Sequence, residues 1–115
     1  GVPVAGDGRR ADAAIQRILE KAAPHGKVAA GVQRRAVQAA WSAWRSKVGG
    51  AATARDRYRF TRMRLRAGIA RTTAGHGRLV VHLVWAGADP RGEYRDDRTA
   101  RMPVKKVHGR WKGVR

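Results

Sequence analysis

The hydrophobic period of this chain changes once, at Gly49-Gly50, and that change constrains the fold more than any other feature. Before the glycines, apolar residues recur every three or four positions, the repeat of a helix with one buried face. Ala14, Ile15, Ile18 and Leu19 predict a first helix from Ala11 to about Ala23, stopped by Pro24 and Gly26. Val37, Trp41, Trp44 and Val48, spaced four, three and four, predict a second helix over Val28 to Val48, with Arg34, Gln38 and Arg45 on a different face.

After the glycines the period is two, the repeat of a strand. Thr61, Met63, Leu65, Ala67 and Ile69 alternate with Arg62, Arg64 and Arg66, so one face is apolar and the other arginine-lined. Tyr58 and Phe60 fall on the opposite phase, which calls for a bulge near Thr61. Ala74 to Gly77 makes a turn, and Arg78 to Trp85 is apolar on both faces except at His82, as in the central strand of a sheet. Asp89-Pro90-Arg91-Gly92 is a further turn, followed by a polar strand over Glu93 to Val104. His108-Gly109 then forms a tight hairpin into a last strand, Arg110 to Val114.

Helices first and an antiparallel meander after them define an α+β domain, with two N-terminal helices packed on a curved antiparallel sheet of three or four strands. At 115 residues the chain has room for one core and one domain: a loose lead-in over 1–10, helices over 11–48 and the sheet over 58–115. Alanine supplies much of the apolar content, so the four tryptophans should carry a large share of the burial. Trp41, Trp44, Leu65, Leu79, Val81, Leu83 and Trp85 form the expected core. No apolar run reaches the roughly 18 residues of a transmembrane helix.

The formal charge is +18, from 26 Lys and Arg against 8 Asp and Glu, and both halves of the chain share the excess. Such a molecule repels itself, and a polyanionic partner relieves that repulsion. The same Arg, Ala and Gly richness is also what a GC-rich genome produces. With no cysteine, disulfides, thiolate nucleophiles and Cys-ligated zinc are excluded. The chain starts at Gly1 and not at Met, so the location reads as cytoplasmic, or as exported or anchored if an upstream segment was removed.

Catalytic cues are sparse. His25, His76 and His108 fall in turns, and His82 lies among apolar neighbours where a hydrogen-bonded core histidine is the expected reading. Asp96 and Asp97, adjacent on a strand, point to opposite faces and make a poor metal pair; Arg95, Arg98 or Arg101 are their expected partners. The sequence therefore predicts no catalytic residue, metal or cofactor. The strongest binding candidate is the ladder Arg62, Arg64 and Arg66, spaced about 6.5–7 Å apart along one strand face. Arg57, Arg59, Arg95 and Arg101 would widen it into a polyanion-binding patch for nucleic acid or an acidic protein surface. The alternative is a solvated sheet face. Self-association is left open.

From about residue 58 onward the chain resembles the nuclear transport factor 2-like superfamily: a long strand, a Gly/Asp/Pro turn, a return strand and a closing hairpin with Val107, Gly109 and Trp111. That family usually sets three helices before a cone-shaped sheet that holds a pocket, whereas this chain has room for about two. The resemblance implies an assembly or binding role, as in bacterial conjugation and secretion machines, or less directly a small pocket enzyme. It transfers no functional residue.

Overall fold

A computed structural model describes residues 10–23, 26–50, 59–73, 75 and 77–114. Two helices, α1 (Asp12–Ala22) and α2 (Ala30–Val48), precede four strands: β1 (Thr61–Thr72), β2 (Arg78–Ala88), β3 (Tyr94–Val107) and β4 (Arg110–Gly113). The strands form one curled antiparallel sheet in the order β1-β2-β3-β4, an α+β half-barrel with the helices packed against it. The lead-in over 1–9, Pro24, His25, Arg57, Ala74 and His76 lie outside the described residues.

α2 fills the curl of the sheet. Its fully buried residues are Ala36 and Ala40, and the main core cluster joins them to Ala70, Leu79, Val81, Leu83, Met102 and Val104. Small residues on the inner face of the helix let it come close to the strands. A Cβ added to Gly68 would strike Val37, and one added to Gly113 would strike Ala43. The buried centre of α2 is therefore turned toward alanines, and the expected stripe of Val37, Trp41 and Trp44 lies along its flank, only partly buried. Among the described tryptophans Trp85 alone is fully buried, edge-on to Trp44 at 5.9 Å and to Phe60 at 5.0 Å.

α1 packs from the other side. Ile15 and Leu19 meet Ala67 and Val84, which the two-residue repeat places on the face opposite Leu83 and Trp85. Ile18, part of the predicted stripe, is 47% exposed. Two glutamines close the outer edge of β1. Gln33 of α2 donates to the carbonyl of Ala70 and accepts from its N–H, both at 2.7 Å, as a neighbouring strand would. Gln16 of α1 accepts from Gly68 N–H at 3.1 Å, and Gly26 carbonyl accepts from Thr72 N–H at 3.1 Å.

The sheet carries three bulges near one end. Register slips between Thr61 and Arg64, between Leu65 and Ala67, and between the Trp85 and Gly87 positions opposite β3. Each inserts one residue, in β1 at Arg62 and Arg66 and in β3 at Asp96-Asp97. Arg62 and Asp97 hold positive φ of 49° and 52°. At the opposite end of β3, His108-Gly109 closes the expected two-residue hairpin with φ of 50° and 77°, the geometry of a type I′ turn.

Candidate polyanion-binding surface

The bulges decide where the ladder arginines go. The expectation that Arg62, Arg64 and Arg66 form one open ladder is corrected by the geometry, because Arg64 and Arg66 both turn toward Asp12 at the start of α1 and are taken up in ion pairs there. Arg62 is exposed at the first bulge. Arg64 pairs with Asp12 at the start of α1. Arg66 turns inward until its side chain is 1% exposed, donating to Asp96 at 3.0 Å, to Asp97 at 2.6 Å and to the carbonyl of Arg10, with Asp12 at 3.4 Å. The expected pairing of Asp96 and Asp97 with Arg95, Arg98 or Arg101 from opposite faces is corrected: the β3 bulge turns both carboxylates onto Arg66, which reaches from the β1 bulge past β2.

The flanking arginines are also spread out. Arg59 donates to the carbonyls of Lys47 at 2.7 Å and Gly49 at 3.1 Å, capping the C-terminal end of α2 where the helix dipole favours a cation. Arg95 is held by Asp89 at 3.0 Å and Glu93 at 2.8 Å. Arg101 is exposed on the outer face beside its register partner His82. Burial, with the nearby charges of Arg101 and Arg71, holds the His82 imidazole below its ordinary pKa of 6.5. Its buried Nε2 has no hydrogen-bond partner among the described residues, where the sequence predicts one, and this fits a neutral ring.

Cations do converge elsewhere. α1, α2 and β1 enclose an open groove of about 1220 Å³ whose walls carry Arg17, Lys21, Lys27, Arg34 and Arg35, with Glu20 the one carboxylate among its described lining residues. Its floor is Val28, Val37, Gly68, Ile69 and the buried Arg71, whose guanidinium donates to the carbonyls of Ala70 at 3.3 Å and Glu20 at 3.5 Å. A second recess of about 580 Å³ adjoins it and shares Arg35 and Gln38. Here Arg45 and Arg110 stand with Trp41 and Trp111, and no carboxylate is among the described lining residues.

One helical stripe builds most of this track. Arg34, Gln38, Trp41 and Arg45 recur at four, three and four, so they point the same way from α2. The stripe lies beside the apolar arc and runs about 16 Å along the helix. The sequence held this signal in the separate face of Arg34, Gln38 and Arg45. The partners from α1 and β4 came only with the tertiary fold. Among the described residues no group of three His, Cys, Asp or Glu comes together as a metal site. No helix among them is long and apolar enough to cross a membrane.

No protein-family model matches this chain, nor does any curated protein or any solved structure.

Proposed function

We propose that this chain is a non-enzymatic basic module that binds a polyanion along the outer side of α2. The observation that carries the reading is the pair of adjoining recesses, in which eight cationic side chains face the single carboxylate of Glu20 among the described residues. Guanidinium groups give forked, charge-assisted contacts to phosphate or carboxylate. Placed around a concavity, they focus the field of a molecule already at +18. Arg62 and Arg101 add exposed charge outside the track, while Arg64 and Arg66 are held in ion pairs with the chain's own aspartates.

The test is binding of labelled polyanions across a salt series, with an Arg34→Gln/Arg35→Gln/Arg45→Gln variant and an Arg62→Gln variant beside the parent. Each lost phosphate contact to a single strand flattens the log–log salt slope by about 0.7, so the triple variant should flatten it by about 2. Arg62→Gln should change it little. A triple variant that binds like the parent would overturn the reading.

A second reading, a protein-assembly domain of the nuclear transport factor 2-like kind, draws support from the curled sheet and its closing hairpin at Val107, Gly109 and Trp111. Light scattering separates the two: assembly predicts a defined oligomer that persists at high salt without any polyanion.

A further inference from the structure

We infer that the polyanion is a single-stranded nucleic acid, with a base seated against Trp41 and Trp111 in the smaller recess and the backbone running along the larger groove. This rests on the preceding assignment of α2 as the polyanion track. The smaller recess brings together two indoles and Arg35, Arg45 and Arg110. A phosphate needs only the cations. The indoles add what a base needs, an apolar π-surface next to positive charge, which is how sequence-tolerant single-strand binding works.

Both tryptophans are fixed from behind and partly open in front. Trp41 and Trp111 pack against the main core cluster yet remain only partly buried. Trp111 lies on β4, opposite Lys106 in β3, and β4 is pressed onto α2 where Gly113 meets Ala43. The recess therefore has walls from two elements that cannot shift independently, and a rigid aromatic wall loses little entropy when a base stacks on it. The larger groove offers the complement: cations and glutamines, with no aromatic residue among its described lining. A duplex keeps its bases stacked inside and gains nothing from the indoles. An acidic polypeptide is served by the cations alone.

The experiment compares four ligands at about 100 mM salt: a single-stranded oligothymidylate of about 12 nucleotides, an abasic deoxyribose-phosphate oligomer of equal length, a duplex of equal length, and poly-glutamate. Trp111→Leu keeps the packing and removes the π-face, Trp111→Phe restores a smaller one, and circular dichroism checks that each variant is folded. Oligothymidylate should bind at least about tenfold tighter than the abasic oligomer, and Trp111→Leu should weaken it about 5- to 150-fold. Abasic binding should stay unchanged, and Trp111→Phe should recover most of the loss. Equal affinity for the base-bearing and abasic oligomers, equal loss of both in Trp111→Leu, or tighter binding of duplex or poly-glutamate overturns the inference. In each of those cases the polyanion track itself stands if the Arg34/Arg35/Arg45 variant loses binding. If the parent binds none of the four ligands, both readings fall.

Discussion

A guanidinium taken out of water needs partners for its charge and its N–H groups, and Arg66 has Asp96 and Asp97 within 3.0 Å. Replacing it by Met would leave Asp96, 11% exposed, without its counter-charge. Because Asp12 and Asp97 can turn to water, the loss should be about 2–4 kcal/mol, read as a lower urea midpoint. Arg62 predicts the opposite sign. Its φ of 49° is strained for a side chain with a Cβ, so Arg62→Gly should leave stability unchanged or raise it by about 1 kcal/mol. His82 adds a pH dependence. Its folded pKa lies below the ordinary 6.5, so the unfolded chain takes up a proton more readily. The stability it contributes is whole above pH 6.5 and is lost as pH falls from there through the depressed folded value. Urea midpoints at about pH 7.5 and 5 should differ, and His82→Gln should remove that part of the difference.

Among the elements, β1 depends most on side chains from elsewhere. Gln33 stands where a fifth strand would and satisfies both backbone groups of Ala70. Gln33→Leu keeps the bulk but leaves a part-buried N–H and C=O unpaired. A loss of about 1–3 kcal/mol is expected in denaturant titration, with greater aggregation from the newly opened edge. Element identity was legible in the sequence because helices and strands have different repeats, and the Gly49-Gly50 break separates them. The buried face of α2 was less so. Hydrophobicity pointed to Val37, Trp41 and Trp44, but the fully buried residues of the helix are Ala36 and Ala40, while Gly68 makes room for Val37 and Gly113 for Ala43. The arginine row was the clearest pattern and the most misleading about geometry. A bulge near Thr61 was readable from Tyr58 and Phe60, whereas the one at Arg66 goes with partners, Asp96 and Asp97, that lie thirty and thirty-one residues away. The track along α2 was half written in one helix; Lys21, Arg17 and Arg110 join it through packing that no local repeat encodes.

For the molecule as a whole, the net charge of +18 works against its own compactness. A ligand that binds only the folded state offsets this by mass action. At a hundredfold excess over Kd, inorganic polyphosphate should stabilise the fold by about 2.7 kcal/mol, raising Tm by several degrees, while a neutral polymer should not. The two rims of the sheet bear on what else the molecule can join. The β1 rim is stopped by the chain's own glutamines, and among the described residues β4 and Val114 cover the opposite rim from Pro103 to Val107. Along the remainder of that rim β3 presents exposed Arg95, Arg98 and Arg101. Two copies meeting there would bring the charged side chains of Arg98 and Arg101 into a new interface, so growth strand by strand is opposed on one flank by geometry and on the other by the cost of burying charge. A strand-rich half-barrel edged in this way is expected to resist becoming the seed of a fibre.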